Sequence, residues 1–154
     1  MTALHPDAAV GPVLFAYDGS ELAQFAIEQA GRELAAGREA VVVCVWQPAD
    51  VGFTPVGERH FDALDATAVQ AAAEETAAHG ALLATQAGFR PTSLTVKAAP
   101  IWKGILQVAD DRQASLIVVG PHRRSGIVGH LLGSVSAAVI AHASVPVLVV
   151  HQRA

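Results

Sequence analysis

The feature that most constrains the fold is a series of short runs rich in branched apolar residues: Val13 to Tyr17, Ala40 to Trp46, Ser93 to Ala98, Leu116 to Val119 and Val147 to His151. Most are apolar along their length rather than alternating, which predicts strands covered on both faces. The segments between them carry helical spacing instead. Leu22, Ala23, Ala26, Ile27, Ala30 and Leu34 recur on one face, with Ser20 placed as an N-cap, Glu21 in the first turn and Gly37 as a stop. A second, alanine-rich helix is predicted from about Asp62 to Ala87, with an interruption near Gly80 and an end around Gly88. Pro100 suits the first position of a third helix, whose apolar side is Ile101, Ile105, Leu106, Val108 and Ala109. A fourth helix runs from about Ser134 to His142. Strands and helices in strict alternation call for an α/β fold: a parallel sheet with helices on both faces and right-handed crossovers. Met1 to Gly11 reads as a loose tail and Gln47 to Phe61 as a long loop, a length that is often functional in compact domains.

Composition narrows the partners. A chain of 154 residues, 52% apolar and 16% charged, suits one globular domain over residues 1–154. Its formal charge of -4 argues against nucleic acid, which needs a basic face to neutralise phosphates; Arg123-Arg124 is the only basic cluster. The single cysteine, Cys44, lies within an apolar run, so there is no disulfide framework or thiolate metal site, and a buried inert thiol in a reducing cytoplasm is expected. No apolar stretch reaches the ~18 residues of a membrane span, and the N-terminus lacks the pattern of a signal peptide. The 7 histidines show no metal-ligand spacing, and Trp46 and Trp102 read as packing residues.

The stretch from Ser115 to Ser136 carries the chemistry. Leu116 to Val119 is a strand run stopped by Gly120; a loop with Gly126, Gly129, Arg123 and Arg124 follows, until Gly133 and Ser134 open a short apolar helix. Glycines allow close backbone approach, and a helix start leaves N–H donors unpaired, so the combination suits an anion such as phosphate. It is neither a Walker A loop nor the tight Gly-x-Gly-x-x-Gly of a dinucleotide site.

Four pieces in order resemble the universal stress protein family: Val13 to Tyr17 leading into Asp18-Gly19-Ser20, the run Leu116 to Gly120, the segment Gly133-Ser134-Val135-Ser136, and the ending Val145 to Val150. Many members carry a signature Gly-x2-Gly-x9-Gly-Ser/Thr. Here Gly120 and Gly133-Ser134 hold both outer positions, while Arg123 stands where the middle glycine is expected. Ser115 and Ala98 are smaller departures, replacing a usual aspartate and a frequent glycine. The resemblance implies a Rossmann-like open sheet of order 3-2-1-4-5, with a ligand crevice at the switch point between strands one and four. It further implies ATP as ligand, with Mg²⁺ as a possible companion. Asp18 would contact the nucleoside and the Val45 backbone the adenine, and Gly120, Gly133, Ser134 and Val135 would cradle ribose and phosphates; at the departure, side-chain chemistry rather than the resemblance lets the Arg123 guanidinium swing over the phosphates. A homodimer through Val147 to Val150 is also implied.

Plainer readings stand beside these. Asp18-Gly19-Ser20 taken alone is a turn and cap. Arg123 and Arg124 either bind phosphate or lie solvated on a loop. The expected function is that of a nucleotide-binding regulator in stress response; the alternatives are a homodimeric interaction module in which Arg123 blocks the site, and a slow ATPase or phosphoryl-transfer enzyme. No nucleophile elbow and no general base beyond Asp18 support the last of these.

Overall fold

The computed structural model describes residues 10–47, 63–121 and 133–152. Its elements, in order, are β1 (Val13–Ala16), α1 (Glu21–Glu33), β2 (Glu39–Trp46), α2 (Ala63–Gln86), β3 (Arg90–Lys97), α3 (Ile101–Asp111), β4 (Leu116–Val119), α4 (Ser134–His142) and β5 (Val147–Val149). All strand pairs are parallel and the sheet order is β3-β2-β1-β4-β5, the order that the resemblance implies.

Successive strand residues point to opposite faces, so each apolar run feeds two cores. Val13, Phe15, Tyr17, Val42 and Val118 pack against α1 and α2 through Ala23, Ala26, Ile27, Ala30 and Ala84. Leu14, Val43, Ile117 and Val119 pack on the other side against Ile105, Val108 and Ala109 of α3 and Val139 of α4. Phe15, Leu14, Ile27 and Ile117 are among the largest fully buried side chains. Burial of each stabilises the fold by about 1.5–3 kcal/mol. The ring of Phe15 meets Phe89 edge-on, with centroids 5.2 Å apart. Trp46 and Cys44 are buried under α2 beside Ala73 and Ala77.

Several local expectations need correction. Gly80 does not interrupt α2, which runs unbroken from Ala63 to Gln86. A Cβ built on Gly80 would lie 2.6 Å from Tyr17 Cδ1 and 2.7 Å from Val42 Cγ1, so the glycine lets the helix press onto the sheet. Pro100 is the N-cap of α3 rather than its first helical residue. β3 begins at Arg90, ahead of the expected Ser93, and tolerates Pro91 because of its position. Arg90 N–H donates to the Arg38 carbonyl and Ala98 N–H to that of Trp46, so even-numbered residues turn towards β2 and the Pro91 nitrogen faces the free edge. β5 stops at Val149, short of His151. The expected N-terminal tail is tied down at its end: the Gly11 carbonyl accepts from Ser115 Oγ at 2.7 Å, and Ser115 Oγ in turn accepts from Arg38 Nη2 at 2.7 Å. From residue 48 onward, the expected loop through Phe61 lies outside the described residues.

Candidate functional site

A crevice of about 350 Å³ opens at the carboxyl ends of β1, β2 and β4, ringed by the starts of α1, α3 and α4. Its apolar lining comes from Ala16, Val43, Val45 and Val119 on the strands and from Ile101 and Ile105 on α3. Its polar lining comes from the two junctions that flank the switch point: Tyr17, Asp18 and Ser20 between β1 and α1, and Gly120, Ser134, Val135 and Ser136 between β4 and α4.

The β1–α1 junction is tightly hydrogen-bonded. Ser20 N–H donates to Asp18 Oδ1 at 2.9 Å, and Ala23 N–H donates to Ser20 Oγ at 3.2 Å, so the turn and cap reading of this tripeptide holds structurally. Asp18 nevertheless lines the crevice, and it is the one formally charged side chain there among the described residues. Tyr17 is buried beneath it, and its hydroxyl is 2.8 Å from His79 Nδ1 on α2. Burial, the largest cause, pushes the Tyr17 phenol above the ordinary tyrosine range, against a lowering hydrogen bond from Gln24; the Asp18 carboxylate adds to the rise.

The β4–α4 junction is built differently. Gly133 is the N-cap of α4 and supplies no side-chain hydrogen bond. The first intrahelical bond runs from Ala137 N–H to the Gly133 carbonyl, so the N–H groups of Ser134, Val135 and Ser136 have no intrahelical acceptor. With the helix dipole behind them, these donors make the start of α4 electropositive. Ser136 is 3% exposed, and its Oγ donates to the Gly120 carbonyl at 3.0 Å, stitching α4 to the end of β4. Gly120 is required by packing: a Cβ there would lie 2.9 Å from the Leu22 carbonyl oxygen in the first turn of α1.

Of the residues singled out from sequence, Asp18, Val45, Gly120, Ser134 and Val135 line the one crevice, and Gly133 immediately precedes Ser134 as its cap. Val45 is well oriented. The Val43 carbonyl accepts from Tyr17 N–H, and Val45 turns its backbone the same way, past the last β1–β2 register pair Ala16↔Val43. Arg123 lies outside the described residues. Sequence reasoning missed Tyr17, Ser136, Ile101 and Ile105 as lining residues. Ser136 left a signal, a second serine in an otherwise apolar helix; Tyr17 and the two isoleucines read as ordinary core positions and left none. Among the described residues no group of three His, Cys, Asp or Glu side chains could hold a metal, and no helix is long and apolar enough to cross a membrane.

An open parallel sheet with a half-apolar crevice at its switch point defines a doubly wound α/β protein with a ligand-sized site at that point. Within that class the chain belongs to the universal stress protein family, whose family model matches residues 10–151. A universal stress protein of Mycobacterium tuberculosis is 36% identical over 97% of this chain, and the chain spans about half, 48%, of that relative's length. A solved hypothetical protein whose biochemical function was assigned from its structure shares the fold, with a TM-score of 0.76 at 22% identity over 94% of this chain and 98% of its own. A universal stress protein solved in complex with cAMP is 27% identical, with a TM-score of 0.65 over 94% of this chain and 98% of its own.

Proposed function

We propose that the crevice binds an adenine nucleotide, ATP in particular, and that the protein acts as a nucleotide-binding regulator in stress response. The observation that carries this reading is the pairing of two unlike junctions across one apolar floor: the Asp18 carboxylate on one side, the uncapped start of α4 on the other. A carboxylate suits ribose hydroxyls, N–H donors without an intrahelical acceptor suit phosphate oxygens, and Val45 offers backbone groups to the adenine edge. Gly133, Ser134 and Val135 then hold the phosphates, Gly120 brings β4 close to them, and Arg123 would add a charge-assisted phosphate contact. Mg²⁺ rides on the phosphates and water. The cAMP complex of the 27% identical relative supports the ligand class. A homodimer joined through Val147 to Val150 completes the proposal, supported by the outward-facing backbone of β5.

Calorimetry with ATP, AMP, cAMP and adenosine tests it. ATP binding that is weakened by Ser134→Ala, with the fold intact by circular dichroism, is the expected result. Absence of heat with every adenine nucleotide would replace this reading with that of an interaction module, and Arg123→Gly restoring binding would name Arg123 as the obstruction. Release of free phosphate at a useful rate would move the protein among the enzymes.

A further inference from the structure

We propose that the stack between Trp102 and His142 is a clamp that fixes the start of α4 over the crevice, making both side chains positioning residues for the phosphate end of the ligand. The inference rests on the nucleotide reading above. α4 has 9 residues, no side-chain cap, and only Ser136 and Val139 buried. A helix so short has little stability of its own, and its tertiary contacts must hold it. Val139 anchors its middle in the core, and a polar contact lies near its start, from Ser136 Oγ to the Gly120 carbonyl. A further contact is at its last residue, where the His142 imidazole lies on the Trp102 indole with centroids 4.6 Å apart and planes 13° from parallel.

The stack lies outside the deep core, since His142 is exposed and Trp102 only half-buried. Its effect is geometric. Trp102 itself does not line the crevice, but it is half-buried on α3, the helix whose Ile101 and Ile105 do line it, so the indole anchors the helix that carries the apolar wall. Lys103 Nζ, 5.6 Å from the ring centroid, adds a cation–π contact on the same helix. His142 belongs to the helix whose other end presents Ser134 and Val135. The stack therefore ties the wall that meets the base to the wall that meets the phosphates. α4 is about 12 Å long at 1.5 Å per residue, and a tilt of about 5° shifts one end by about 1 Å relative to the other. That is enough to take an N–H···O contact out of range.

The test combines amide exchange across the ligand-free protein with calorimetric affinities for ATP and for adenosine, on the unmodified chain, Trp102→Ala, His142→Ala and His142→Phe. Loss of the stack should speed exchange in α4, from Ala137 onward, by about threefold to tenfold, with β1 and α1 unchanged. ATP affinity should fall by a similar factor while adenosine affinity holds, and His142→Phe, which keeps an aromatic face, should restore both. Unchanged α4 exchange in the alanine variants would overturn the clamp. So would equal losses for ATP and adenosine together with faster exchange across the whole sheet, the mark of a general stability contribution. If the unmodified protein binds no nucleotide, the reading of the site fails, while the exchange measurement still decides whether the stack holds α4.

Discussion

Two helices begin at the same crevice and finish their first turns in opposite ways. α1 is capped from within, Ser20 taking the Ala23 N–H and Asp18 taking the Ser20 N–H. α4 starts at a glycine with no side-chain acceptor, although two serines stand in its first turn. Ser136 spends its hydroxyl on the Gly120 carbonyl rather than on its own helix. Orphan N–H groups cost free energy unless something satisfies them. That contrast fits the proposed site, in which an anionic acceptor would meet the start of α4 and neutral hydroxyls the carboxylate side of the crevice.

The largest expected effect breaks the link between the two junctions. Gly120→Val places side-chain atoms against the Leu22 carbonyl and should cost about 3 kcal/mol in urea unfolding, with α1 as the displaced element. An unfolding midpoint equal to that of the unmodified protein would show that the contact yields freely. Next, Gly133→Asp makes α4 resemble α1 by supplying the missing cap. Stability should rise by a few tenths of a kcal/mol while ATP affinity falls about tenfold or more, because a carboxylate now occupies the donors. Serine truncations should then separate the junctions: Ser20→Ala lowers stability by about 1 kcal/mol, whereas Ser134→Ala stays within about 0.5 kcal/mol. Equal losses would erase the contrast between a capping serine and a non-capping one.

The smallest effect lies under the capped junction. Tyr17 is the chain's only tyrosine, so phenolate absorbance reports it alone. Burial raises its folded pKa above the unfolded value of about 10, so the neutral phenol is favoured in the fold. Its contribution to stability is complete below about pH 10 and is lost as pH rises through the folded value. A folded titration midpoint at or below that of the denatured chain would contradict this.

The strand runs were legible because each core strand is apolar through most of its length, and the resemblance supplied their order and the switch point. Elements decided by neighbours far along the chain were not. Gly80 reads locally as a helix breaker, but its meaning depends on Tyr17 and Val42 lying beneath it. The strand expected from Ser93 in fact begins ahead of Pro91, because an edge position leaves the proline's missing N–H without consequence. In the site, the described residues with motif spacing lie together, whereas Tyr17, Ile101 and Ile105 enter through burial, which periodicity reports without saying what opens beside it. Gly120 belongs to a nucleotide signature, yet its closest constraint is the backbone of α1.

The two outer strands of the sheet have unequal capacities for growth. Along β3 the exposed side carries Pro91, which cannot donate, between Arg90 and Lys97, which resist stacking of like upon like. Along β5, Leu148 turns its polar backbone groups inward with Val150, whose N–H reaches Val119, and so Val147 and Val149 offer theirs outward. Any sheet continued across β5 by a second copy would carry a β3 strand at each of its new ends. Pro91 and the flanking cations would disfavour a further strand at either end, so a joining of that kind would favour closure at two copies over open-ended fibres.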